Sequence, residues 1–175
     1  MWETMPTPIQ ILNEMNREYL RKKYPDIPPE YLHCKPIKAN SANELTKAVI
    51  KFIRLTGGQA ERISVTGRVI NTRKTYTDIL GHRKQIGSVK YIPSAMTKGS
   101  ADISATIQGK SIKIEIKWGH DRQSSAQVKY QAEIEKAGGI YILIHTFNDF
   151  FDWYKSISQE NIPFKGGNTW IKLII

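Results

Sequence analysis

The run from Ser111 to Lys117 reads Ser-Ile-Lys-Ile-Glu-Ile-Lys. Successive side chains of a strand point to opposite faces, so Ile112, Ile114 and Ile116 share one face and Lys113, Glu115 and Lys117 the other. Asp102 to Ile107 is a second strand candidate, and Gln108-Gly109-Lys110 is a connection short enough for a hairpin. Asp102 therefore opens the partner of the strand that carries Glu115 and Lys117. Taken alone, Glu-x-Lys is explained by a solvated strand face with an internal Glu–Lys pair, which exposed sheets commonly carry.

The flanking segments predict the layers around this hairpin. Ser41-Ala-Asn-Glu44 has the form of a capping box, and Leu45, Val49, Phe52 and Ile53 give the following helix an apolar stripe that Gly57-Gly58 ends. Ala60 to Ile92 is β-like but irregular, which predicts short strands and a long, mobile, basic loop. Ser124 can cap a helix running to Lys136, with Val128, Ile134 and Ala137 on its apolar side. Ile140 to His145 is a continuous apolar run, the pattern of a strand buried on both faces. Phe147 to Ile157 reads as a short helix and Thr169 to Ile175 as a last strand. The fold class expected is α/β, a central mixed sheet flanked by helices.

Residues 1–40 read as an N-terminal helical extension, with a helix from about Thr7 to Tyr24 followed by Pro25, Pro28, Pro29 and Pro36. Residues 41–145 form the expected core, and 146–175 a helix and strand that complete or extend it. The aromatic residues from Phe147 to Tyr154 read as core packing of the last helix, with a partner surface as the alternative.

Charge narrows the partner. The chain of 175 residues carries a net charge of +10, and eleven of its basic residues fall between Lys47 and Lys98, opposed there only by Glu61 and Asp78. Such a cluster predicts a polyanionic partner, with Arg62, Arg68, Arg73, Lys74, Arg83, Lys84 and Lys98 as candidate phosphate contacts. A single cysteine, Cys34, excludes an internal disulfide and a thiolate zinc site. No stretch reaches the roughly 20 apolar residues of a membrane span. The first ten residues lack the basic-then-apolar order of a secretory signal. A cytoplasmic protein with no membrane partner is expected.

A carboxylate pair at adjoining strand ends can hold Mg²⁺, which takes oxygen ligands and keeps several waters. A lysine on the same face can orient an attacking water and offset charge on a phosphate. The four histidines are scattered without metal-ligand spacing. Trp118, at the strand end, reads as core packing, with stacking on a base as the alternative.

Four ordered segments carry a resemblance: Gly99-Ser100-Ala101-Asp102-Ile103, then Ile114-Glu115-Ile116-Lys117, then Gln123-Ser124-Ser125-Ala126-Gln127, then Ala137-Gly138-Gly139-Ile140-Tyr141. Together they resemble the VRR-NUC branch of the PD-(D/E)xK nuclease superfamily over residues 41–145. The resemblance implies a restriction-endonuclease-like fold and a Mg²⁺- or Mn²⁺-dependent DNA endonuclease. In it Asp102, Glu115 and the Ile116 carbonyl bind the metal, Lys117 assists catalysis, Gln127 begins the next helix and Ser124 lies toward DNA. Gln127 then contacts the lysine, the attacking water or a phosphate; an ordinary first-turn residue is the alternative. Glu44 takes an indirect metal role, beside a capping role that explains it equally. Small stand-alone members imply a homodimer acting on branched DNA such as four-way (Holliday) junctions, in a phage or bacterial host cell. A nickase, a flap or restriction-type nuclease, and a nucleic-acid-binding protein without catalysis are the alternatives.

Overall fold

A computed structural model describes residues 6–64 and 67–158. The strand expected at 169–175 lies outside them. In chain order the elements are α1 (Pro8–Lys23), a short 3-10 turn (Pro29–Tyr31), α2 (Ala42–Leu55), β1 (Gln59–Arg62), β2 (Arg68–Asn71), β3 (Lys74–Thr77), β4 (Arg83–Ile86), β5 (Val89–Ile92), β6 (Ile103–Ile107), β7 (Lys110–Ile116), α3 (Ser125–Lys136), β8 (Ile140–Ile144) and α4 (Phe147–Ile157).

The predicted hairpin is β6–β7. Gln108 and Gly109 are its two loop residues, with φ of 50° and 77°, the double positive φ of a tight hairpin turn that keeps the right-handed strand twist. Pairing runs from Ile103↔Ile114 to Ile107↔Lys110. The sheet has the order β1-β6-β7-β8; β1–β6 and β6–β7 are antiparallel, while β7–β8 is parallel. A parallel neighbour needs a crossover, and α3 supplies it between β7 and β8. The protein is thus a mixed α/β fold built on a four-stranded mixed sheet.

Alternation sorts this sheet into an apolar and a polar face. Ala60, Ile103, Ala105, Ile107, Ile112 and Ile114 are buried together against α2, whose Leu45, Val49, Phe52 and Ile53 form the predicted stripe. α2 starts where Ser41 Oγ accepts the Glu44 N–H at 3.3 Å. The aromatic residues of α4 close the core. Phe52 meets Phe147, Phe150, Phe151 and Tyr154 edge-on, with ring centroids 5.9, 5.7, 5.6 and 5.0 Å away, a geometry favoured by the ring quadrupoles. Leu12 and Met15 of α1 enter the same core, so the segment read as an extension packs on α2 and α4. Asn13 ties down the Pro-rich connection, its side chain bonding both N–H and C=O of Ile37 at 2.7 and 3.0 Å.

Between β1 and β6 the chain leaves the sheet and returns. β2 pairs with β5 and β3 with β4, both antiparallel, and Thr72 bonds Ser88 across the joint between them. The four strands make one two-stranded arm. The short strands expected between Ala60 and Ile92 are thus present, and these four pair into a ribbon. Its strands expose residues on both faces, so no apolar alternation marks them in the sequence.

Three further expectations are corrected. Among the described residues β8 is an edge strand, and Leu143 is 40% exposed, so its apolar run is not buried on both faces. Val128 on α3 is exposed, and no residue of α3 is fully buried, because α3 meets the sheet through polar side chains. Trp118 lies beyond the end of β7 and is exposed rather than packed in the core. Among the described residues no helix is long and apolar enough to cross a membrane.

Candidate active site

The polar face of the sheet gathers the hairpin charges. Glu115 and Lys117 are 2% and 4% exposed, so the solvated-face account of this strand does not hold. Lys117 Nζ lies 3.0 Å from Glu115 Oε1. A buried ion pair survives only when hydrogen bonds satisfy its remaining valences, and α3 provides them. Gln127, in the first turn of α3, accepts from Lys117 Nζ through Oε1 at 3.1 Å and donates from Nε2 to Glu115 Oε1. Ser124 caps α3: its Oγ accepts the Gln127 N–H at 3.3 Å, and its own N–H donates to Gln127 Oε1 at 2.9 Å. The cap thereby fixes the side chain that bridges the ion pair.

Asp102 stands at the entrance of β6. Its Oδ2 accepts the Ile116 N–H at 2.9 Å, which ties the carboxylate to the backbone between Glu115 and Lys117. Gly99 makes this approach possible. It has φ of +85°, and a Cβ there would fall 2.4 Å from the Ala126 carbonyl oxygen and 2.8 Å from the Gln127 nitrogen. The loop before Asp102 thus rests directly on the backbone at the start of α3.

Electrostatics follow from this packing. Burial pushes the Glu115 carboxyl above its ordinary value, and the Asp102 charge adds to it; the hydrogen bond from Lys117 opposes both. Tyr141, on β8, donates its hydroxyl to Glu115 Oε2 at 3.4 Å. Burial first, then the charge of Glu115, push the Tyr141 hydroxyl well up, so it remains a donor. Asp121, in the turn after β7, completes the surroundings of Lys117 at 3.4 Å.

Asp102, Glu115, Ile116, Lys117 and Gln127 are brought together, with Ser124 holding Gln127. Glu44 is not among them: its carboxylate accepts the Asn40 N–H at 3.0 Å, one residue before the expected capping-box partner. Arg62 ends β1 and donates to Asn43 Oδ1 at 2.6 Å. Arg68, Arg73, Lys74, Arg83 and Lys84 lie on the exposed arm, and Lys98 in the exposed loop before Asp102. Tyr141 and Asp121 are the site residues that sequence reasoning missed. A polar-tipped residue in the otherwise aliphatic Ile140–Ile144 strand was the available signal for Tyr141. For Asp121 the available signal was its place four residues after Lys117, just beyond the strand.

Among the described residues, no group of three or more His, Cys, Asp and Glu side chains converges. The donor set here is Asp102 and Glu115, two carboxylates near enough for the charge of Asp102 to oppose ionisation of Glu115, a repulsion that a cation would relieve. Mg²⁺ is commonly held by one or two carboxylates plus waters, so this oxygen-only pair fits such an ion. No protein-family model matches the sequence, and no curated protein matches it either.

Proposed function

We propose that the protein is a Mg²⁺- or Mn²⁺-dependent DNA endonuclease with a restriction-endonuclease-like core, resembling the VRR-NUC branch, that cuts branched DNA such as four-way junctions. One observation carries the reading: a buried Glu115–Lys117 pair faces a second carboxylate, Asp102, at the mouth of the hairpin. Burying a carboxylate beside another is costly, and a hydrophobic pair would pack this strand as well. The arrangement makes physical sense when the carboxylates have a charged ligand.

Asp102 and Glu115, with the Ile116 carbonyl, would hold the cation. When bound, it polarises the phosphodiester and neutralises charge on the departing oxygen. Lys117 would orient the attacking water and offset negative charge on the phosphate oxygens; as the water oxygen bonds to phosphorus, the P–O bond to the leaving strand breaks and the water's proton ends on the departing oxygen. Gln127 keeps Lys117 and Glu115 in register, and the protonated Tyr141 hydroxyl holds the other Glu115 oxygen. Basic residues from Arg62 to Lys98 contact phosphates, which positions DNA without reading sequence. A homodimer would set two such sites about a two-fold axis, suited to paired cuts in a symmetric junction. The setting this implies is the cytoplasm of a phage or bacterial host cell.

A DNA-binding protein that does not cut is the second reading. It draws on the hydrogen bonds that already occupy both Glu115 oxygens. Labelled four-way junction, flap and linear duplex, incubated with and without Mg²⁺ or Mn²⁺, separate the two. Cation-dependent cutting, strongest on the junction, is expected; binding to all three without cutting under either cation gives the second reading.

A further inference from the structure

The arm presents two features that phosphate contact alone does not explain. The first is its tip. Asp78 to His82 is a hydrogen-bonded turn: the Asp78 N–H donates to the His82 carbonyl at 2.9 Å, and Asp78 Oδ1 accepts from the Leu80 and His82 N–H groups at 3.0 and 2.9 Å. Gly81, at φ +83°, lets the chain reverse. At the apex stand Ile79 and Leu80, 102% and 75% exposed. Turns normally present Gly, Asn, Asp or Ser. Here a hydrogen-bonded turn presents two aliphatic side chains to water.

The second feature is the flank. Six basic residues, Arg68, Arg73, Lys74, Arg83, Lys84 and Lys90, occupy the arm, and Asp78 is its single acid. That acid is already engaged by Lys84 Nζ at 3.0 Å. Val69 and Tyr91, a cross-strand pair, are also exposed. An isolated two-stranded ribbon gains little from its own packing, so apolar side chains along it suit a surface that is covered on binding. The positive flank selects a polyanion as the cover. A two-stranded ribbon fits the B-DNA major groove, roughly 12 Å wide, whereas A-form RNA offers a deep, narrow one.

We propose that the β2–β5 arm is a DNA wedge: its basic flanks follow the phosphates of duplex DNA while Ile79 and Leu80 insert at a weakly stacked step, such as the branch point of a junction. The arm spans about ten residues from Arg68 to the tip, a reach of roughly 30 Å. Aliphatic wedges between base steps unstack and kink DNA in other architectures. The proposal rests on DNA being the substrate of the site and gives the arm the task of choosing branched over linear DNA.

The test uses full-length protein with chelator present, so that DNA is bound and not cut. A four-way junction and a linear duplex each carry 2-aminopurine, at the branch point or mid-duplex, and affinity and fluorescence are read together. The wild type is expected to raise 2-aminopurine fluorescence at the branch and to favour the junction. Ile79→Ser/Leu80→Ser is expected to abolish the rise and to lower the junction preference about tenfold, as the apolar wedge that holds the step open is lost. Its affinity for linear duplex should stay within about twofold of the wild type, because the phosphate contacts remain. Ile79→Leu/Leu80→Ile is expected to keep both signals. The wedge is overturned by no DNA binding, by binding without unstacking, or by a serine variant that unstacks as the wild type does. Binding and unstacking by a protein that never cuts would uphold the wedge and remove only the nuclease reading.

Discussion

The β6–β7 hairpin and the β2–β5 arm are both antiparallel ribbons, yet they solve opposite problems. In the hairpin one face is sealed by aliphatic packing, and its polar groups are engaged from within: Lys117 by Glu115, Gln127 and Asp121, and one Asp102 oxygen by the Ile116 N–H. In the arm both faces are open and a run of positive charge meets one acid. Under the function proposed above, the enclosed charges of the hairpin would arrange chemistry and the open charges of the arm would meet DNA. The difference also says where a mutation is felt as stability and where as binding.

The sharpest break in the comparison is a truncation on each side. Phe52→Ala removes the ring that four aromatic neighbours surround, and denaturant unfolding should show a loss of about 3–5 kcal/mol. Tyr91→Ala on the arm should change the same measurement by less than about 0.5 kcal/mol, since its side chain is largely exposed. Equal losses would mean that the arm is part of the core.

Gly99→Ala probes how the hairpin site is assembled. Its positive φ, and a Cβ 2.4 Å from the Ala126 oxygen, force the loop off α3. The expected cost is about 1–3 kcal/mol in a thermal or denaturant melt, accompanied by a fall in cleavage rate. Unchanged melts would show that Asp102 does not depend on this contact.

A smaller effect separates the regions by pH. Burial raises Glu115 above the ordinary value of 4.5, so the folded protein holds that proton more tightly than the unfolded chain. The resulting stabilisation is complete below the ordinary value and is lost as pH rises through the raised one. In chelator, the melting temperature of the wild type should therefore climb relative to Glu115→Gln as pH falls from neutral. A difference that does not vary with pH would contradict the burial of this charge.

The arm should respond to salt instead. Replacing Arg73, Lys74 and Arg83 with serine is expected to weaken binding to all duplexes alike and to flatten the dependence of log affinity on log salt by about one per residue. Melting temperature should hardly move. A change confined to one DNA sequence would point to base contacts.

How far these regions could be read in advance follows the same division. The hairpin was readable because Ile112, Ile114 and Ile116 alternate with charge and Gly109 marks the turn; α2 was readable from Ser41 and its apolar stripe. Of the arm only the presence of short strands was readable; their pairing was not, because segments such as Lys74–Thr77 and Arg83–Ile86 expose both faces and leave no period. Ile140–Ile144 misled because an aliphatic run does not report whether both faces of its strand are covered; Leu143, paired with Glu115, is exposed on the polar face. In the site, Asp102, Glu115 and Lys117 came from local pattern and resemblance together. Tyr141 showed locally only as a polar tip in an aliphatic strand; its place opposite Lys113, which brings it to Glu115, is set by a parallel pairing across a helix. Glu44 was ambiguous for a local reason: one position serves both a helix start and a ligand, and here its carboxylate turns to Asn40.

The most direct measurement compares wild type and Glu115→Ala on a labelled four-way junction with Mg²⁺, reading cleavage and binding in parallel. Loss of cutting by about a thousandfold, the scale of removing a charge-stabilising group, with junction affinity in chelator nearly unchanged, is the predicted result. Mg²⁺-dependent cutting by Glu115→Ala at the wild-type rate would contradict the assignment of the site.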